Sequence, residues 1–130
     1  MALDRLFLDA NVLFSAAYRP NAGLTRFWKL PGVTPCSSRY AVEEARINLA
    51  TTVQRERLQS LTTALELFDT VGALPGEISL PEKDRPILLA AVAARATHLI
   101  TGDFRHFGPL FGKNVRGILI LPPADYLRSL

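Results

Sequence analysis

The chain has 130 residues, 48% of them hydrophobic and 21% charged, with a formal net charge of +3. That apolar fraction excludes a disordered chain, and the length predicts a single domain, residues 1–130, around one core. No run reaches the roughly 18–20 uncharged apolar residues of a membrane helix, and the one cysteine, Cys36, excludes both an internal disulfide and a Cys/His zinc cluster.

Asp4 and Arg5 interrupt the N-terminal stretch, and neither a basic leader nor a small-residue cleavage site is present. A signal peptide is therefore not expected, and a reducing, cytoplasmic location is. Leu6-Phe7-Leu8 reads as a short buried strand ending at Asp9. Ala10–Ala17 follows as a helix, and Pro20, Asn21 and Gly23 break the pattern before a short helix over about Leu24–Leu30. Exposed apolar surface at Phe27 and Trp28 is the expected place for a homodimer contact.

Val33–Ser37 is a second strand, weakened by Pro35. Ser38 is the natural N-cap of a helix over Arg39–Ala50. A further helix is expected over Gln54–Phe68, because Leu58, Leu61, Leu65 and Phe68 share one face of a 3.6-residue period. A third strand is expected at Thr70–Leu74 and a turn at Pro75-Gly76. Ser79 and Glu82 are spaced as a capping box. The next helix runs over about Asp84–Ala96, with Pro86 in its first turn and a body apolar nearly all round. His98–Thr101 and Val115–Leu121 are the fourth and fifth strands, and Pro122-Pro123 starts a closing helical turn. Strands alternating with helices predict an α/β fold with a mostly parallel, five-stranded sheet covered by helices, a three-layer sandwich.

Ligands of such sheets bind beyond the carboxyl ends of the strands. Asp9 directly follows the first strand, and Asp103 lies two residues after the fourth. Either alone reads as a cap, but two at matching strand ends point to a site. Glu43 has Arg39 and Arg46 at helical spacing and reads as a surface ion-pair partner, whereas Glu44 has no base at those offsets. A carboxylate without such a partner needs another, and a bound cation is one. Asp84 divides evenly between helix cap and site residue. If four of the 12 acids gather in one pocket, 15 basic residues face eight acids elsewhere, a balance suited to a polyanionic substrate.

Two carboxylates about 4 Å apart repel by roughly 4 kcal/mol at an effective dielectric of 20. Protonation or divalent cations must relieve that repulsion, and Mg²⁺ and Mn²⁺ prefer oxygen donors and phosphate. Neither histidine, His98 within a strand nor His106, has a serine or cysteine nucleophile beside it in a recognisable triad.

The run Leu8-Asp9-Ala10-Asn11-Val12-Leu13, the segment Ser38 through Glu44-Ala45-Arg46, the segment Asp84 through Ala91, and Leu99-Ile100-Thr101-Gly102-Asp103-Phe104-Arg105-His106-Phe107 together resemble a PIN domain, near the VapC-type toxins of toxin–antitoxin pairs. The first and last segments are the specific ones, and the middle two persuade by order and spacing. The resemblance implies a metal-dependent endoribonuclease using Mg²⁺ or Mn²⁺, with Asp9, Glu44, Asp84 and Asp103 as catalytic and metal-holding acids. It further implies an RNA substrate and an antitoxin protein as partner. Asn11 and Thr101 fall where such proteins keep polar residues that orient the acids. Many relatives carry a further acid just after the last aspartate, where this chain has Arg105 and His106, so one firmly held ion is expected. Arg46, Arg105 and His106 are candidate phosphate contacts, with packing of His106 beside Phe104 and Phe107 the favoured alternative.

Two other classes compete. A doubly wound phosphatase using Asp9 as nucleophile would want a second acid at position 11, where Asn11 stands. A non-catalytic PIN-like module binding RNA or protein would have no use for four crowded acids.

Overall fold

The computed structural model describes residues 3–69, 78 and 80–130. Six strands form one sheet: β1 (Asp4–Leu8), β2 (Val33–Ser38), β3 (Glu66–Phe68), β4 (His98–Ile100), β5 (Asn114–Val115) and β6 (Ile118–Leu121). Their spatial order is β3-β2-β1-β4-β6-β5, parallel at every pairing except the antiparallel β5–β6. Helices α1 (Ala10–Ala17), α2 (Arg39–Asn48), α3 (Thr52–Thr62), α4 (Arg85–Ala93), α5 (Phe104–Phe107) and α6 (Pro123–Arg128) flank it. The α/β class, with a mostly parallel central sheet between helices, is the one expected from the sequence.

β1 is central because Leu6, Phe7 and Leu8 are all fully buried, as a parallel strand covered on both faces must be. Pro35 pairs with Leu6, but pairing of β2 to β3 starts only at Cys36. Pro35 thus lies on a stretch with one neighbour, where a missing N–H is tolerated. Cys36 is a small core residue, and burial pushes its thiol up to about 11.

The strand order turns back at β1. The chain moves outward through β2 to β3, then crosses to β4 on the other side of β1, with α4 packed against β2 and β4. The carboxyl ends of β1 and β4 therefore flank the point where strand order reverses, which is where open α/β sheets leave a crevice.

Several boundaries differ from expectation. The helix foreseen over Gln54–Phe68 stops at Thr62, and β3 takes its last residues. Thr62 and Thr63 end it by donating their hydroxyls back to the carbonyls of Gln59 and Ser60. Glu66–Phe68 then pair alongside Cys36–Ser38. At its other end α3 carries a capping box of Thr51 and Gln54. The strand expected at Thr70–Leu74, the turn at Pro75-Gly76 and the capping serine Ser79 lie outside the described residues.

The expected fifth strand is split into a hairpin, which brings the strands among the described residues to six. Arg116 and Gly117 both take positive φ, 56° and 85°, the signature of a two-residue hairpin turn. α4 ends three residues early, because Arg95 adopts φ 55° and Ala96 N–H returns to Ala91 O, a left-handed helix cap. Val92 is also exposed, so α4 is not buried all round.

The helix expected over Leu24–Leu30 is a 3-10 helix over Gly23–Trp28. Phe27 is fully buried against the Tyr126 ring, and Trp28 Nε1 donates to Leu61 O. Phe27 therefore offers no exposed apolar surface for a dimer contact, and Trp28 is half-buried. Among the described residues no helix is long and apolar enough to cross a membrane.

Candidate active site

Asp9 is the first residue after β1 and the N-cap of α1, and it is only 4% exposed. Its Oδ1 accepts from Ala10 N at 2.7 Å. Its Oδ2 accepts from Thr101 Oγ1 at 2.8 Å and from Asn11 Nδ2 at 3.2 Å. Burial lifts this carboxyl to about 6, with Glu44 and Asp84 adding repulsion and the Thr101 and Ala10 bonds opposing the rise.

Thr101 and Asn11 tie the ends of β1 and β4 together. Thr101 is fully buried, and its hydroxyl also accepts from Asp103 N at 3.1 Å and Asn11 Nδ2 at 3.2 Å. Asn11 Oδ1 in turn accepts from Gly102 N at 2.7 Å. Five polar groups from two strand ends thus form one network, and a buried polar network of this kind holds geometry only when its members are satisfied.

Asp103 caps α5 through Oδ1, which accepts from His106 N at 3.0 Å. Asp84 ends a 3-10 turn over Glu82–Asp84 and occupies the N-cap position of α4, yet its side chain makes no cap bond. It is nevertheless buried, at 7% exposure. Burial raises its carboxyl above the ordinary range, with His106 and Lys83 nearby opposing the rise. Glu44, from α2, is half-buried and also raised, first by burial and then by repulsion from Asp84.

Asp9, Glu44, Asp84 and Asp103 all line one cleft of about 420 Å³, together with Asn11, Phe14, Ala45, Asn48 and Lys83. Four segments far apart in sequence bring these acids to one place. Glu43, one residue from Glu44, points elsewhere and forms a two-bond ion pair with Arg46 on the exposed side. Arg39 pairs with Asp69 rather than with Glu43.

The basic candidates fare differently. Arg46 is held by Glu43 and does not line the cleft, and Arg105 is exposed and likewise absent from its lining. His106 is not packed between phenylalanines: Phe104 is exposed and meets Phe111 edge-on, while Phe107 is in the core. The imidazole instead turns to the acids, its Nδ1 2.8 Å from Asp84 Oδ2 and 3.0 Å from Asp103 Oδ2. Lys83 and Asn48 are cleft residues that sequence reasoning passed over. Asn48 lies one helical turn beyond Glu44 and donates to its carbonyl, so helix spacing could have found it. Lys83 carries no signal that separates it from a solvated lysine.

A divalent cation fits this donor set. The carboxylates crowd one another, and two buried atoms at their meeting point, the carboxylate oxygen Asp84 Oδ2 and the imidazole nitrogen His106 Nδ1, have no aligned hydrogen-bond partner. One ligand atom each from Asp84, Asp103 and His106 lies within 4.8 Å of the others. Oxygen-rich surroundings with one imidazole suit Mg²⁺ or Mn²⁺ better than a thiophilic metal.

No family model and no curated protein sequence matches the chain. Among solved structures, the chain is similar to one in the crystal structure of VapBC2 from Rickettsia felis bound to a DNA fragment from their promoter. The TM-score is 0.69 at 15% sequence identity, with 91% of this chain and 98% of that chain covered. This likeness establishes the fold.

Proposed function

We propose that the chain is a metal-dependent endoribonuclease that hydrolyses RNA phosphodiester bonds, and that it is the toxin of a toxin–antitoxin pair. The observation that carries the catalytic reading is the convergence of Asp9, Glu44, Asp84 and Asp103 on one cleft at the carboxyl ends of β1 and β4. The toxin reading rests on the motif resemblance, supported by a shared fold with a chain of a VapBC complex.

When bound, Mg²⁺ or Mn²⁺ supplies positive charge at the phosphate and makes water a better nucleophile. Asp9, Asp84 and Asp103 are the carboxylates we assign to holding it. Thr101 and Asn11 fix the Asp9 carboxylate through the bonds already described, so that its orientation is set before substrate arrives. Glu44, whose affinity for a proton is raised by its surroundings, is assigned to accepting the proton that the attacking water gives up. Lys83 brings a cation to an otherwise acidic cleft and is assigned to the RNA phosphate. Water adds at phosphorus as the P–O bond of the linkage breaks; the departing oxygen takes a proton from solvent to become a hydroxyl on the second fragment, and Glu44 returns its proton to solvent.

A phosphatase using Asp9 as nucleophile is disfavoured by the same geometry. Position 11, where such an enzyme needs a second acid, holds Asn11, whose amide is engaged by Asp9 Oδ2, Thr101 Oγ1 and Gly102 N.

The test is cleavage of RNA by the purified protein with Mg²⁺ or Mn²⁺, with EDTA, and with Asp9→Asn and Asp103→Asn. The expected result is cleavage that EDTA abolishes and that each variant lowers by at least about 10²-fold. Cleavage unaffected by EDTA, or unchanged in both variants, overturns the mechanism. Co-expression with the gene products encoded beside it tests the antitoxin. A stable complex that suppresses cleavage is expected, and the absence of any such neighbour would remove the toxin reading alone.

A further inference from the structure

His106 does not itself line the cleft but stands against two of the acids that do. Its Nδ1 is buried, yet neither of its close contacts, Asp84 Oδ2 at 2.8 Å and Asp103 Oδ2 at 3.0 Å, lies along a hydrogen-bond line. Asp84 Oδ2 is equally buried and equally without an aligned partner. Two buried polar atoms left this way cost stability unless something else satisfies them.

The spacing suits a shared cation. Ligands on adjacent corners of an octahedron with bonds of about 2.1 Å are roughly 3 Å apart, and both Nδ1–Oδ2 contacts have that length. Asp103 and His106 are also presented as a unit. Asp103 Oδ1 accepts from the His106 backbone, which leaves Oδ2 and Nδ1 on the same side of a single helical turn.

We propose that His106 Nδ1 is a direct ligand of the divalent ion alongside Asp84 and Asp103, and that this nitrogen makes the site prefer Mn²⁺ to Mg²⁺. The inference rests on the metal-binding part of the function proposed above and adds to it a ligand of a different chemical kind. Imidazole binds Mn²⁺ and later transition metals well, whereas Mg²⁺ is held by oxygen and gives up its water reluctantly. Replacing one oxygen by nitrogen therefore shifts selectivity without changing the number of ligands.

The experiment is metal binding to EDTA-stripped protein, read by calorimetry and by electron spin-echo spectroscopy of bound Mn²⁺. Wild type, His106→Ala and His106→Asp are compared, with circular dichroism confirming that each variant is folded. Wild type is expected to bind Mn²⁺ at least about tenfold more tightly than Mg²⁺ and to show nitrogen coupling to the Mn²⁺ spin. His106→Ala should lose the coupling and about tenfold in Mn²⁺ affinity, with Mg²⁺ affinity changed far less. His106→Asp restores an oxygen donor and should move the preference towards Mg²⁺. Mn²⁺ bound to wild type without nitrogen coupling, or coupling that survives in a folded His106→Ala, overturns the role of His106 and leaves a carboxylate site standing. Failure of wild type to bind either ion removes the metal site altogether, and with it the proposed mechanism. If neither variant folds, nitrogen coupling to Mn²⁺ in the wild type decides alone, because His98, the other histidine, sits beside the Tyr126 ring rather than among the acids.

Discussion

Thr101 Oγ1 donates to Asp9 Oδ2 at 2.8 Å, a side-chain bond that joins the ends of two neighbouring parallel strands 92 residues apart in sequence. The hydroxyl has three partners, since it also accepts from Asp103 N and Asn11 Nδ2. The residue that orients one acid thereby fixes the backbone of another. A change at position 101 should disturb both strand ends at once.

Thr101→Val keeps the shape and removes the hydroxyl. Three polar groups then lose a partner in a fully buried place, which should cost about 1–3 kcal/mol in denaturant unfolding. RNA cleavage should fall by about 10–100-fold, the usual effect of removing a group that orients a metal-holding carboxylate. Thr101→Ser keeps the hydroxyl and should recover most of the activity. A valine variant with full activity would show that the bond does not matter to the site.

The neighbouring pair Glu43 and Glu44 offers an internal control on helix α2. Glu44→Gln should lower cleavage by about 10²-fold or more, since the assigned proton acceptor is lost. Glu43→Gln removes only an exposed ion pair with Arg46 and should leave both rate and unfolding curve within error of wild type. Equal loss in the two variants, measured in the same cleavage assay, would show that α2 is being damaged rather than the site.

That contrast between Glu43 and Glu44 is legible in the sequence alone, because i±3 and i±4 neighbours on a helix are fixed by geometry. The positions of Asp9 and Asp103 at two central strand ends are equally legible, since a run such as Leu6-Phe7-Leu8 has few other uses. Three features are not. β3 is hidden inside a continuous apolar period, and only the two threonines that end α3 mark the handover. The β5–β6 hairpin depends on Arg116 taking a left-handed conformation, which arginine does not announce. The meeting of His106 with Asp84 depends on how α4 enters the sheet, a tertiary relationship with no local signature.

Ser38 separates stability from chemistry. Its Oγ accepts from Ala41 N at 3.1 Å and so caps the helix that carries Glu44. Ser38→Ala should cost about 1 kcal/mol, the usual effect of a lost N-cap, and should lower the melting temperature by a few degrees. Cleavage well below that melting point should remain within about twofold of wild type, because Glu44 lies more than a turn beyond the cap. A large loss of rate in the cool, folded variant would mean that the start of α2 itself takes part in substrate binding.

The sharpest prediction concerns pH in the metal-free protein. The Asp9 carboxyl, ordinarily near 3.8, is lifted to about 6 in the fold, chiefly by burial. Its contribution to stability is fully present below the ordinary value and is lost as pH rises through about 6. In that window the unfolded chain ionises freely while the folded chain must ionise a buried acid. Glu44 and Asp84 are raised too and act in the same direction. EDTA-treated protein should therefore be more stable at about pH 5 than at about pH 7.5, with roughly 1 kcal/mol of the difference from Asp9. Asp9→Asn, which carries no charge to bury, should flatten that slope. Added Mn²⁺ should stabilise wild type most at the higher pH, where the carboxylates are ionised. Thermal melts across this range decide the matter: identical slopes for wild type and Asp9→Asn would mean that Asp9 ionises in the fold as easily as in water, and that the burial seen at the end of β1 carries no electrostatic cost.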